Sequence, residues 1–341
     1  MRQWNNFATL CSRGYCSLTI LTNKSDGSSF HAINTNRSWA QLERAAGWVY
    51  SSFLWRTLPP SVKDAMRELM DRMLAPCVSR RLSSQKKFQQ SIEDARASAS
   101  LSIIVPVHDA PEVTKRCLLS LQKYAPKAEI ILVDDASKLE ETKTILEDFS
   151  HCTGWMLIRH MKPLGHSAAC GAGASLATRP YICFLNSDTV VTPWCWRPIT
   201  EAFEDDPNVG VSGPSTSYSG TQQTMPLAKL TRYYLNNSQI YEYARRMLAE
   251  PSNTILIDLP WVSGFALFIR RRLWGQIGGF DHSLPDYGNE VELCRRVLAA
   301  GYRAVWVRNS YIHHLGGVSY SKTIGAKFIW ARTLGAKEYI E

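Results

Sequence analysis

From Leu101 onward the chain alternates between two apolar periods. LSIIVPV (101–107) and AEIILVDD (128–135) are short runs of nearly unbroken apolar residues, the texture of strands covered on both faces. Between them PEVTKRCLLSLQKY puts Val113, Cys117, Leu118 and Leu121 on one helical face. LEETKTILEDF predicts a second helix, WMLIR a third strand, GHSAACGAGASLAT a helix of small residues and YICFLNSD a fourth strand. This order predicts an α/β fold, a mostly parallel sheet flanked by helices.

The texture before residue 100 is different. Residues 1–37 are rich in Ser, Asn and Thr without periodicity and are expected to be irregular or poorly ordered. SWAQLERAAGWVYSSFLWRTL places Leu42, Ala45, Ala46, Val49, Phe53 and Leu54 at helical spacing. Pro59-Pro60 ends that helix, and Ser61 can cap another, SVKDAMRELMDRMLAP. The basic run that follows reads as a linker or exposed helix. The expected organisation is therefore an irregular segment over 1–37, a helical extension and linker over 38–99, a main domain over 100–325 and a C-terminal helix or tail over 326–341.

The strand ends carry the chemistry. The first strand runs into Pro106-Val107-His108-Asp109 and the second into Asp134-Asp135. After the third comes Pro163-Leu164-Gly165-His166, and the fourth stops on Asn186-Ser187-Asp188. Ligands of open parallel sheets bind outside the carboxyl ends of the strands. Carboxylates converging there repel one another unless a cation or a donor-rich ligand lies among them. Hard oxygen donors suit Mg2+ or Mn2+, ions that also bridge diphosphate oxygens. A turn accounts for Ser187, whereas Asp188 ends a central strand and reads as a metal–diphosphate ligand. Neither GxxxxGK[ST] nor GxGxxG follows the first strand, and GAGAS at 171–175 falls inside a helix, where it reads as close packing.

Composition narrows the picture only a little. The net charge of +9 suits anionic substrates, a membrane surface or nucleic acid without choosing among them. Nine cysteines lack metal-type spacing, and those inside apolar patterns, Cys117, Cys170, Cys183 and Cys294, read as buried free thiols of a reducing compartment. No stretch has the roughly 18 apolar residues of a membrane span. The N-terminus lacks the pattern of a signal peptide. A cytoplasmic protein is expected, with peripheral contact at the inner face of the membrane left open by Trp39, Trp48 and Trp55 beside their arginines.

VPVHDAPEVTKRCLLSL, EIILVDDAS, PLGHSAACGAGASLA and YICFLNSDTVVTP, in this order, resemble the family 2 glycosyltransferases of the GT-A fold. WVSGFALFIRRRLWGQIGGFD, YGNEVELCRRVLAAGYR and HHLGGVSY continue the resemblance to about residue 320, with a bacterial polysaccharide or rhamnosyl-transfer flavour. It implies an inverting transfer from a UDP-, dTDP- or GDP-sugar to a hydroxyl of a glycan or lipid-linked acceptor. No nucleic acid is then a partner, while a membrane or another glycosyltransferase module is a candidate contact.

The resemblance also implies roles. Asp188 would hold the Mg2+ or Mn2+ on the diphosphate, with His314 as second ligand. Asn186 and Ser187 complete that motif. Asp135 would accept from the base, with Asp134 bracing its loop. Pro106 and His108 would line the nucleotide pocket, beside Gly165 and His166. Gly264 would border the sugar. Glu290, in the Asn289-Glu290 pair, takes the place of the catalytic base, with Glu292 as the alternative. A degenerate nucleotide- or glycan-binding module and a sugar-phosphate nucleotidyltransferase are the competing readings.

Overall fold

The computed structural model describes residues 92–226, 228, 236–249 and 256–316, together with three short strands nearer the N-terminus. The chain divides into two units, Met1–Gln85 and Lys86–Glu341. In the first, β1 (Cys11–Ser12), β2 (Tyr15–Thr19) and β3 (Ala32–Asn34) pair antiparallel in sequence order. These strands fall in the segment expected to be irregular. The helices expected over 38–58 and 61–76 and the tail from 326 lie outside the described residues.

The second unit opens with helix α1 (Ile92–Ser98) and then alternates as its apolar periods predict. β4 (Leu101–Val107) is followed by α2 (Pro111–Tyr124), β5 (Glu129–Asp134) by α3 (Glu140–Thr153), and β6 (Met156–Arg159) by α4 (His166–Leu176). β7 (Tyr181–Leu185) and the short β8 (Thr189–Val191) lead to α5 (Trp196–Asp205) and β9 (Val209–Ser215). Then come α6 (Asn237–Ala249), β10 (Leu256–Asp258), β11 (Ala266–Arg270), α7 (Arg271–Ile277), α8 (Asn289–Ala299) and β12 (Arg303–His314). One sheet runs β10-β12-β9-β11-β7-β4-β5-β6, with β8 paired to β12. β4, β5, β6, β7, β9 and β12 share one direction, while β8, β10 and β11 run against it.

The central strands β4 and β7 are mostly apolar because helices cover both faces. Every residue of β4 and β7 is buried. Each fully buried Leu or Ile contributes about 1.5–3 kcal/mol relative to exposure. Pro106 falls within β4, beyond Ile104, where pairing with β7 ends. A residue without an N–H fits there because the strand has only one neighbour. The small-residue helix packs as its sequence predicts: a Cβ on Gly173 would collide with Ile104 of the central strand.

The stretch before residue 100, expected to be a linker, is part of this unit. Asp94 on α1 is fully buried and accepts the N–H groups of Trp194 (3.0 Å), Trp196 (3.2 Å) and Arg197 (3.0 Å). It therefore caps α5 from about a hundred positions upstream, satisfying donors that the helix cannot satisfy itself. Trp196, also buried, donates its indole N–H to the Tyr124 carbonyl at 2.6 Å, tying α5 to the end of α2.

Candidate functional site

The strand directions decide what meets at one edge. β4, β5, β7, β9 and β12 all end there, and β11, running against them, begins there. The backbone at this edge is unusual. Asp109 and Ala110 (φ 55° and 57°) after β4, and Ala136 (φ 55°) after β5, are non-glycine residues in the left-handed region. Such conformations are uphill and persist only where surrounding bonds impose them. Here the Asp109 carboxylate accepts the N–H groups of Lys138 (2.8 Å) and Leu139 (2.9 Å), locking the two loops together.

Asp188 and His314 come from positions far apart in the chain and meet through register. β8 pairs antiparallel with β12, with Thr189 opposite His314, and the Leu315 N–H donates to the Asp188 carbonyl at 3.0 Å. Both side chains are buried, and Nε2 of His314 lies 3.1 Å from Oδ1 of Asp188. Nδ1 of His314 is 2.8 Å from the Tyr218 carbonyl, which can only accept, so Nδ1 carries a proton. Ser217 holds the His314 backbone at both N–H and carbonyl, and Phe265 stacks on the ring at 5.1 Å between centroids.

Nε2, though buried, has no aligned hydrogen bond. A spacing of 3.1 Å suits two donors that share one cation, and an Nδ1–H bond to a backbone carbonyl is the usual way a ligating imidazole is oriented. The pair thus fits a divalent ion. Among the described residues no group of three or more His, Cys, Asp or Glu is arranged around a metal position. Two protein donors suit a Mg2+-like ion that takes its other oxygens from water and phosphate.

The two aspartates after β5 both brace loops. Asp134 accepts the Ser137 N–H (2.9 Å) and faces the Arg159 guanidinium (3.2 Å). Asp135 accepts the N–H groups of Leu164 and Gly165, each at 2.9 Å, and bonds His160 Nδ1 at 2.7 Å. Bracing was expected of Asp134 alone. His108 turns Nδ1 to the Asp135 carbonyl at 2.8 Å, which fixes its ring beside the second strand end.

Gly165 (φ 88°) has a reason in the chain itself. A Cβ there would stand 2.8 Å from Cβ of Pro285, whose loop is pinned to the start of α4 by Ser167 N–H to the Pro285 carbonyl (2.8 Å). A close approach by nucleotide was expected at Gly165, and the group found against it is Pro285. The loop also brings Asp286, which accepts the His166 N–H at 3.2 Å.

His166, expected to face either the nucleotide or solvent, lies among polar side chains. Its Nδ1 is 3.3 Å from the Asn289 amide nitrogen, and the Cys170 thiol sulfur lies 3.7 Å from both ring nitrogens. Burial pushes its pKa below the usual value, opposed by Asp286, Asn186 and Asp135.

The two candidate bases separate clearly. Glu292 is buried and held by Arg296, whose Nε lies 2.7 and 2.9 Å from its two oxygens. Arg296 in turn caps the carbonyls of Ile277 and Gly279, so this ion pair fastens the turn after α7 to α8. Glu290, two residues nearer the helix start and partly exposed, lies against Gly264. A Cβ on that glycine would be 3.5 Å from the Glu290 carboxyl carbon, an ordinary contact.

His313 is fully buried and bonded to the Tyr311 hydroxyl at 2.8 Å, a structural contact. Sequence reasoning did not single out Gln223. Its amide oxygen accepts the Ser263 N–H and its nitrogen donates to the Pro214 carbonyl, holding the loop after β9 against the segment leading to β11. An amide inside a polar loop gives no sequence signal for this.

Residues 102–276 match Glycosyl transferase family 2, just over half of the chain. α8 and β12 lie beyond the matched residues. The O-antigen biosynthesis protein RfbC of Myxococcus xanthus is 25% identical over 75% of this chain and 20% of its own length. The N-acetylglucosaminyl-diphospho-decaprenol L-rhamnosyltransferase of Mycobacterium tuberculosis (strain ATCC 25618 / H37Rv) is 27% identical over 39% of this chain and 46% of its own. The chain thus spans less than half the length of these curated relatives. Among solved structures, GalNAc-T7 with UDP, GalNAc and Mn2+ is similar at 19% identity and a TM-score of 0.49, covering 63% of this chain and 43% of that one. The mannosyltransferase PcManGT from Pyrobaculum calidifontis in complex with GDP-Man and Mn2+ gives 15% identity and 0.48, covering 82% and 72%. With its strand-end motifs inside the matched residues, the chain belongs to glycosyl transferase family 2.

Proposed function

We propose that this chain transfers a sugar, with inversion, from a nucleotide-diphosphate donor to a hydroxyl of a glycan or lipid-linked acceptor. The observation that carries the reading is the buried Asp188–His314 pair, whose facing oxygen and nitrogen lie 3.1 Å apart without an aligned hydrogen bond. Asp188 and His314 are the residues that would hold Mg2+ or Mn2+. Such an ion neutralises charge on the departing diphosphate and makes it a better leaving group.

The chain's own residues supply the rest. Pro106 and His108 at the end of β4, with the loops braced by Asp134 and Asp135, form the wall for the base and ribose. Glu290 takes the acceptor's hydroxyl proton as that oxygen attacks the anomeric carbon. Glu292 does not share this role, because Arg296 already engages both of its oxygens. Phe265 and the Tyr218 carbonyl keep His314 from rotating away from Asp188. A lipid-linked acceptor is supported by the rhamnosyltransferase relative, whose own name specifies a diphospho-decaprenol substrate.

The test is nucleoside-diphosphate release from a panel of nucleotide sugars, with Mg2+, Mn2+ or chelator, with saccharide and lipid-linked acceptors. Wild type should release product only with metal, and Asp188→Ala and Glu290→Gln should abolish it. Full transfer rates in Glu290→Gln would remove Glu290 as the base. Release indifferent to chelator and to Asp188→Ala would remove the metal.

A further inference from the structure

Where β9 and β11 part, one buried side chain takes over from the strand ladder. The two strands pair through Ser212 and Phe268, and beyond that point their buried backbone groups need other partners. Gln223 is fully buried there. Its Oε1 accepts the Ser263 N–H and the Thr221 hydroxyl, each at 2.8 Å, and its Nε2 donates to the Pro214 carbonyl at 2.9 Å. A backbone N–H only donates and a carbonyl only accepts, so the orientation of the amide is fixed. Gly213 makes the room: a Cβ on it would stand 2.5 Å from Nε2 of Gln223.

The backbone of the same residue reaches the support of His314. The Gln223 carbonyl accepts the Thr216 N–H at 2.8 Å, and the Thr216 carbonyl accepts the Met225 N–H at 2.8 Å. The next two residues hold the histidine: Ser217 bonds its backbone at N–H and carbonyl, and the Tyr218 carbonyl accepts from Nδ1. On the other side, Ser263 precedes by two residues Phe265, whose ring stacks on the imidazole. The carbonyl and the aromatic face that hold the His314 ring come from different segments, and those segments meet at Gln223.

We propose that Gln223 is a positioning residue for His314. It joins the segment carrying the Tyr218 carbonyl to the segment carrying Phe265, and so keeps Nε2 turned toward Asp188. The proposal rests on the reading of Asp188 and His314 as metal ligands and deepens it. It assigns Gln223 no contact with the ion or the donor. A ligating imidazole depends on the group that holds its other nitrogen, and loss of such outer partners weakens metal binding about 10- to 100-fold. An apolar side chain of the same length would fill the space at 223 but would tie neither segment to the other.

Two readouts test this: imidazole 15N shifts of histidine-labelled protein at pH 8 without metal, and Mn2+ binding followed by the EPR signal of the free ion. The His314 signals are identified by their loss in His314→Asn. In wild type His314 should be the Nδ1–H tautomer. Gln223→Met keeps the shape and drops the three side-chain bonds. It should turn His314 into a mixture of tautomers and weaken Mn2+ about 10-fold. Gly213→Ala keeps the glutamine but displaces its amide, so it should move both readouts the same way, and it serves if Gln223→Met fails to fold. Asp94→Ala controls for general loosening, since the bonds it removes lie at the start of α5. It should lower Tm and move neither readout.

A His314 tautomer unchanged in both Gln223→Met and Gly213→Ala would overturn the proposal. So would an equal shift in Asp94→Ala, or a shifted tautomer with Mn2+ held as tightly as by wild type. Wild type that binds no Mn2+ is a different outcome. It refutes the metal reading, and the tautomer alone then decides whether Gln223 positions His314.

Discussion

Asp94→Ala removes a carboxylate that serves three backbone donors at once. Distances of 3.0, 3.2 and 3.0 Å to Trp194, Trp196 and Arg197 make it the N-terminal cap of α5, delivered from another helix. Loss of an ordinary cap costs about 0.5–2 kcal/mol, and hydrogen bonds to a charged group contribute about 1.5–3 kcal/mol each. The three do not add in full. Arg197 is exposed and its N–H can turn to water, whereas Trp196 is sealed. The expected loss is therefore about 2–3 kcal/mol, near the top of the capping range. For a unit of this size each kcal/mol moves Tm by about 2–4 °C, so Asp94→Ala should melt roughly 4–12 °C below wild type. Asn at 94 keeps one acceptor oxygen and should fall between the two. Differential scanning calorimetry reads the shift directly. A chain that begins at Leu101 should show the same loss. An Ala variant within about 1 °C of wild type would refute the capping argument, as would an Asn variant no better than Ala.

Gly165→Ala should destabilise by about 1–3 kcal/mol, from positive φ and the clash with Pro285, seen as a lowered urea midpoint without a changed slope. His166 prefers its neutral form in the fold, so its pKa lies below that of the unfolded chain. Acid protonates the unfolded state first. Stability should therefore fall as pH drops through the ordinary histidine range, and the fall should be shallower in His166→Gln when melts are compared between pH 7.5 and 5.5. Burial pushes the Cys117 and Cys294 thiols up to about 12, so both should resist iodoacetamide at pH 8 until the protein is unfolded. Among the described thiols the exposed Cys152 should be labelled first, as mass spectrometry would show.

The alternation of apolar runs made the sheet legible, because covered parallel strands and amphipathic helices leave different periods in a single sequence. The helix PEVTKRCLLSLQKY forms over Pro111–Tyr124. Asp188 could be placed at a rim because the run before it is too apolar for an edge strand. Other features depended on pairings between distant segments. Nothing near Asp94 in sequence shows that its carboxylate meets α5, since the donors lie a hundred residues on. Glu290 and Glu292 look alike on paper, and only the packing of Arg296 tells which is already engaged. Gly165 looked like a site for ligand approach, and the contact with Pro285 that a side chain there would meet leaves no trace in the local sequence. The left-handed Asp109 and Ala110 carry no glycine to announce them.

The reversed direction of β11 has a consequence for how this protein can change. β9 and β11 are adjacent and antiparallel, with Ser212 opposite Phe268 and Val211 opposite Ile269. The chain between them leaves the sheet, adds β10 beside β12 at its outer edge, and returns to begin β11 beside β9. Up to β10, that excursion is an insertion between two strands of one sheet. Lengthening such a loop costs only about 0.6 kcal/mol for each doubling, and no strand has to change its register. The chain between Gln223 and β10 can thus vary in length and content while β10, the Ser217 and Tyr218 anchors of His314 and Phe265 against its ring stay as they are. A graft between relatives that keeps Ser217, Tyr218, Gln223, β10 and Phe265 would alter the rim of the candidate site without rebuilding the scaffold.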